Sequence, residues 1–495
     1  ADGFGSYAHG DVETAGFITA DGRAAEAAGY AFSGGSIVSS AAGAKALGRA
    51  DMGTIQALAP GSIAAGSVSG DPTANIKAQA DGSLAMGIAS DVGSYIQAAA
   101  FGSVAQGQVS TGGFITALNV GAHARGAASA GASVTANGGG SHAHGTADVS
   151  AVLSADGTGS LAHGSTSGVD SVITSGGNGS HALGVATSGG RIDAGNVGSE
   201  SAGASDGVSS QITTGGIGAK AFGNTSAGGV ITASASGSQA SGASDGAGSN
   251  IAASGDGASA HGSVDSASTI TAGGRGCIAH GYATGGFTIS ALNSGAYAGG
   301  ATINGGVSAS GLAAFAQGDQ LNVSADLAAA FGLGHVVSSY ASLTIGRYAD
   351  ATAFTLATWV DTDPVFIIGN GTGVGTEADA FRIDKDGKVT ETAAKVGKIR
   401  TVGPVAVLTV FPVSARTDHS LVADQTGIGT VEFQLPAGEE GLEFRFGLKG
   451  VNGGGGLLFT PNGLDLVDVN ANTTLGYPNA YLVLQFTGGF WHQVG

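Results

Sequence analysis

Small and apolar residues return to fixed places along this chain. The most regular unit is a six-residue pattern, Gly-(Ser/Ala)-x-Ala-x-Gly. It reads Gly82-Ser83-Leu84-Ala85-Met86-Gly87, Gly102-Ser103-Val104-Ala105-Gln106-Gly107, Gly140-Ser141-His142-Ala143-His144-Gly145 and Gly237-Ser238-Gln239-Ala240-Ser241-Gly242. Intact or degenerate copies begin near residues 5, 24, 43, 61, 82, 102, 121, 140, 159, 179, 198, 218, 237, 257, 276 and 295, mostly 19 or 20 residues apart. A fixed period of this size is the mark of stacked repeats. Between the hexads lies a shorter signal, (Ile/Val)-x-(Ala/Ser), as in Ile18-Thr19-Ala20, Ile96-Gln97-Ala98, Ile115-Thr116-Ala117, Val134-Thr135-Ala136, Ile231-Thr232-Ala233 and Ile270-Thr271-Ala272. Each unit therefore predicts strand, glycine turn, strand, glycine turn. Side chains alternate faces along a strand. The Ser/Ala, Ala and final Gly of the hexad share one face and stay small, while the two x positions share the other and vary. A face of only Ser, Ala and Gly suits the inside of a thin coil, so the pattern predicts an all-β solenoid.

Composition narrows this reading. Of 495 residues 93 are Gly, yet Gly is not every third residue and there are only 8 Pro, which excludes collagen. Positive mean hydropathy and apolar residues in fixed slots argue against disorder. Aromatics make up 6% of the chain, mostly after about residue 280, so the repeats cannot build a core of large side chains. Stability must come from stacking many coils. The variable face carries Leu84, Val104, Leu161, Phe222 and Ile278, too much apolar surface to be left in water, and this predicts association of several chains. The single cysteine, Cys277, stands in a slot otherwise filled by Ser or Ala and reads as a buried filler, so a disulfide framework is excluded. The chain begins at Ala1 with no basic or apolar leader, so no signal peptide is expected, and no run of about 20 apolar residues predicts a transmembrane helix. A net charge of −18 with 18 Lys plus Arg argues against nucleic acid as a partner.

Taken in order, residues 1–312 form the long-period array. Its Ile-x-Ala segments carry a threonine row at Thr19, Thr116, Thr135, Thr174, Thr213, Thr232 and Thr271, which raises an ice-binding solenoid as one alternative. Gln56, Lys77, Gln97 and Asp193 interrupt that row. In residues 313–350 the hexads begin near 313, 327 and 341, a period of 14. This repeat, with Ala341-Ser342-Leu343-Thr344-Ile345-Gly346, resembles the β-roll head of YadA-like trimeric adhesins. The connector, residues 351–396, contains Thr362-Asp363-Pro364-Val365-Phe366-Ile367-Ile368-Gly369-Asn370-Gly371, then Asp379-Ala380-Phe381-Arg382-Ile383 and Lys385-Asp386-Gly387-Lys388-Val389. It resembles the segment that closes such rolls in phage fibre proteins, ahead of a C-terminal trimerisation or tip domain. In residues 397–495, strand-like runs at 405–413, 430–435, 442–448, 457–460, 464–467 and 481–486, with turns every ten residues or so, suggest a β-sandwich-like head. Phe459-Thr460-Pro461-Asn462-Gly463 and Phe490-Trp491-His492 are similar to small C-terminal domains of phage tail fibres.

Candidate chemistry is sparse. Eight of the 11 histidines occupy hexad x positions: His9, His123, His142, His144, His163, His181, His261 and His280. The one His-x-His, His142 and His144, places both rings on one face of a strand. On the threefold axis of a trimer it would offer imidazoles to a transition metal. His163, His261 and His280 stand without such a partner. No catalytic set stands out: Glu439 and Glu440 would point to opposite faces of a strand, and no Gly-Lys-Ser/Thr follows the glycine run 453–456. The sequence thus predicts a non-enzymatic homotrimeric fibre: a solenoid shaft of about 90 Å, taking 19 coils at about 4.8 Å, and a C-terminal receptor-binding head. Its place would be the virion surface, bound to other virion proteins at its base and to a host-surface glycan or protein at its head, with no membrane insertion. Tyr477, Tyr481 and Trp491 are the candidate receptor contacts. The competing class is a bacterial surface adhesin or fibrous appendage at the cell surface.

Overall fold

The structure is a computed structural model that describes residues 1–349 and 354–391 and, beyond them, nine strand segments between Ile399 and Gln493. Among the described residues every regular element is a strand. The first part is a parallel β-solenoid of about 19 coils, as the repeat predicts. Each hexad supplies a long strand, such as Leu84–Ser90, Val104–Ser110, His123–Ala128 and His142–Asp148. Each Ile-x-Ala supplies a short one, such as Tyr95–Ala98, Phe114–Ala117 and Ser133–Ala136. Long strands pair only with long and short with short, always in parallel and in register. Ala105 faces Ala85 on one side and Ala124 on the other. Ile96 faces Ile76 and Ile115. The repeat thus becomes straight columns of identical residues running along the stack.

Two kinds of column fill the interior. The Ser and Ala positions of the hexad are buried throughout, as in Ser83, Ala85, Ser103, Ala105, Ser141 and Ala143. Opposite them runs one large residue per coil: Ile37, Ile55, Ile76, Ile96, Ile115, Val134, Leu153, Ile173, Ile192 and onward, each fully buried. The final glycine of the hexad joins the two. A Cβ on Gly87 would lie 1.8 Å from the Gly107 oxygen and 2.8 Å from Cδ1 of Ile96. The same approach recurs at Gly107 with Ile115, Gly184 with Ile192, Gly262 with Ile270 and Gly281 with Ile289, and successive glycines touch backbone to backbone. The corners are bonded as well. Gly102 donates to the Asp81 carbonyl, Gly121 to Phe101 and Gly140 to Val120, at 2.9–3.1 Å. Backbone groups at the turns thereby find partners in the neighbouring coil.

The period shortens where the sequence says it does. Tyr297 pairs with Phe315, and Phe315 with Ala329 and Ala329 with Leu343 at 14-residue steps. Strands contract with it, from seven residues in Leu84–Ser90 to five in Phe315–Asp319, and from four in Tyr95–Ala98 to three in Leu321–Val323. Pro364–Asn370 adds a last parallel strand against Leu343–Arg347. There the Lys385 ammonium sits over the rings of Trp359 (5.1 Å) and Tyr340 (5.7 Å), and its backbone N–H bonds to the Asp363 carbonyl.

The chain forms two compact units, Ala1–Glu377 with Asp384–Gly387, and Ala378–Ile383 with Lys388–Gly495. In the second unit Ile399–Val402, Ser420–Asp424 and Glu443–Lys449 pair in parallel, as do Thr409–Pro412, Val431–Gln434 and Leu457–Thr460 in a separate sheet. Antiparallel pairing joins Asp379–Asp384 to Val389–Glu391, and Tyr481–Thr487 to both Glu443–Lys449 and Phe490–Gln493. Three strands, Ile399–Val402, Ser420–Asp424 and Phe490–Gln493, fall outside the runs read from the sequence. Their short mixed composition gives no clean alternation.

Candidate functional site

The outward face of the long-strand sheet carries the hexad x positions, and here the register does what local sequence cannot. His123 pairs with His142 in one column, and His144 with His163 in the next. The rings stack face to face: His123 on His142 at 4.8 Å and 22°, His144 on His163 at 4.9 Å and 16°. Because His142 and His144 share one strand, the two stacked pairs sit in adjoining columns, a diamond of four histidines across three coils. His142, His144 and His163 are exposed and His123 half-buried. Burial first, then the charges of His142 and Arg125, holds the His123 imidazole below its ordinary range.

His163 is therefore not without a partner, nor are His261 and His280. These two are register neighbours, and the His261 ring nitrogen bonds the Ser241 hydroxyl at 2.7 Å. His280 bonds the Tyr297 hydroxyl. Burial, and then His280, depresses His261 in the same direction as His123. These pairs were missed because spacing was judged within one strand. Adding one coil to each x position exposes them, since His123 and His142 are 19 residues apart.

Among the described residues no three His, Cys, Asp or Glu converge to hold a metal as the side chains stand. Stacking covers the flat faces of the rings and leaves their edges, which carry the nitrogens, to point elsewhere. The same geometry governs the aromatic pairs. Tyr95 lies on Phe114 at 5.2 Å and 4°, and Tyr297 on Phe315 at 4.3 Å and 3°. Their faces are spent on each other, so they form ladders rather than an open platform for a sugar ring.

The threonine row lies on the outer face of the short-strand sheet. Thr116 bonds Thr135 at 3.2 Å and Thr213 bonds Thr232 at 3.3 Å, hydroxyl to hydroxyl along the column. Val38, Gln56, Lys77, Gln97 and Asp193 occupy the same column elsewhere. Cys277 is buried where its place in the repeat puts it. Its sulfur accepts the Gly274 N–H and donates to the Ala291 carbonyl, and burial raises its pKa.

Of the receptor candidates, Tyr477 lies outside the described residues. Tyr481 opens the strand Tyr481–Thr487, paired with Gly447, and Trp491 lies in Phe490–Gln493, paired with Phe486. Glu439, Glu440 and the glycine run 453–456 also lie outside the described residues. No protein-family model, curated protein or solved structure matches the chain.

Proposed function

We propose that the chain is a structural fibre protein of a virion, of the phage tail or capsid type, in which the solenoid carries a receptor-binding head away from its base. The observation that carries this reading is the uninterrupted in-register stack from Tyr7–Val12 to Leu343–Arg347. Its interior is dry and closely spaced, and its repeat gives length rather than an enclosed volume. At about 4.8 Å per coil it spans about 90 Å.

The outward face supports assembly as a homotrimer. In one chain Ile278 is 40% exposed, Ile88 45% and Phe331 42%, on a face where Leu84, Val104, Leu161 and Phe222 are also only half covered. Large apolar side chains left this exposed on one face support an interface there. The head, residues 397–495, would meet a host-surface glycan or protein through Tyr477, Tyr481 and Trp491, while the first coils would meet other virion proteins.

Native mass spectrometry tests the assembly: the expected mass is three times the 47.1 kDa chain, and a monomer removes the fibre reading. Recognition is tested by binding of the labelled full chain to panels of bacterial cells and glycans. Tyr477→Ala, Tyr481→Ala and Trp491→Ala should weaken that binding while leaving the native mass unchanged. Recovery from purified virions supports the reading, whereas recovery from a cell-surface fraction favours the adhesin. Thermal hysteresis would favour the ice-binding alternative, and polysaccharide cleavage would show an enzyme in its place.

A further inference from the structure

The histidine diamond gathers four imidazoles on the outward face. We propose that it is a transition-metal site built within one chain, with His142 and His144 as its central ligands and His123 or His163 completing it. The argument is independent of the fibre reading and of any threefold axis.

Four observations carry it. First, His142 and His144 are two residues apart on one strand, so both rings leave the same face. Second, each has a further histidine directly beside it on the adjoining strand, His123 next to His142 and His163 next to His144. Two ligands from one strand and a third from its neighbour supply the three imidazoles a zinc-type ion takes at about 2.0–2.1 Å, with water in the fourth place. Third, three of the four rings are exposed, so no packed neighbour fixes their side-chain torsions, and the site requires only that these rings rotate out of their stacks. Fourth, the surroundings suit neutral nitrogen ligands. The flanking column positions are Val104, Leu161, Leu183 and Arg125, and the next column holds Ala127, Thr146 and Ser165. No carboxylate stands among them, in a chain with 36 Asp plus Glu. Imidazole-only sets suit Zn, Cu and Ni rather than Mg or Ca.

On binding, each imidazole nitrogen donates its lone pair to the ion and displaces one water of its hydration shell. Arg125, in register with His144, opposes the added positive charge.

The test is calorimetric titration of the intact chain with zinc ion at pH 7.5. One ion per chain is expected. His142→Ala or His144→Ala should weaken binding by more than about tenfold, since even partners beyond the ligands contribute 10–100-fold. At least one of His123→Ala and His163→Ala should weaken it as well. His181→Ala, separated from His142 by Leu161, should leave it unchanged, and Arg125→Gln should tighten it a few-fold. One ion per three chains, with His123→Ala and His163→Ala both silent, overturns the single-chain site in favour of an axial one. Equal titrations for the unsubstituted chain and the His142→Ala/His144→Ala double variant overturn it outright. Unchanged far-UV circular dichroism shows that each variant is folded.

Discussion

At the scale of single residues, the two glycines of the hexad do different work. The first, such as Gly140, has φ near +63 and open space where a Cβ would go. Ala24 sits in the equivalent place at φ +56 and Leu327 at +57, so this position asks only for a left-handed backbone. The last, such as Gly145, has φ +152, and its Cβ would lie 1.8 Å from the Gly164 oxygen. Gly140→Ala should therefore cost about 1–2 kcal/mol, the left-handed penalty alone. Gly145→Ala should cost more than about 3 kcal/mol, because strain and overpacking add. Thermal unfolding of the two variants checks the order, and equal losses would contradict this division. Cys277 allows a second prediction. With its thiol buried and its thiolate disfavoured, it should resist a thiol reagent in the native chain and react once in denaturant. Fast native labelling would place it elsewhere.

At the scale of the element, stability resides in columns. The large-residue column has one fully buried member per coil, so shortening one leaves a hole that neighbours of fixed register cannot close. Ile173→Ala should cost about 2–5 kcal/mol. Thr174→Ala, one residue along on the outer face, should cost well under half as much in the same denaturant titration. The exposed ion pairs within the outer columns, Glu26 with Lys45 at 3.2 Å and Glu200 with Lys220 at 3.9 Å, contribute little by comparison. The histidine columns add a pH dependence. Folding lowers the His123 and His261 pKa values below the ordinary 6.5, so above that pH both states are neutral and nothing is lost. As pH falls through 6.5 the unfolded chain takes up protons first, and stability drops until the folded imidazoles also charge. The melting temperature should decline between pH 7 and pH 5, less so in a His123→Gln/His261→Gln variant. An identical decline in that variant would assign the effect to other groups.

At the scale of the whole molecule, a stack in which each coil touches only its neighbours should tolerate changes of length by whole coils. Lys220 and Gln239 are register partners, so removing residues 220–238 joins equivalent positions. That deletion should fold to a shaft shorter by about 4.8 Å, whereas removing 220–229 sets a short strand where a long one belongs and should unfold locally. Circular dichroism with electron microscopy of the rods distinguishes the two. The open outward face gives this scale its other consequence, the homotrimer proposed above, which native mass decides.

The solenoid and its period were legible in the sequence because one coil is one repeat. A small residue on the inner face and a variable one outside follow from alternation along a strand, and the hexad writes that alternation out. The step from 19 or 20 residues to 14 was visible for the same reason. Cys277 could be placed as buried from its slot alone. What the sequence did not contain was adjacency across coils. His123 meets His142, His144 meets His163 and Tyr95 meets Phe114 only because parallel register carries each residue onto the one a full coil away. The isoleucine that lies over the hexad glycine is likewise a contact between the two halves of a coil, folded back on each other. Local pattern sets which face a side chain takes, because that depends on backbone alternation within a few residues. Which side chains meet there depends on closing a loop of some twenty residues, and only the folded coil does that.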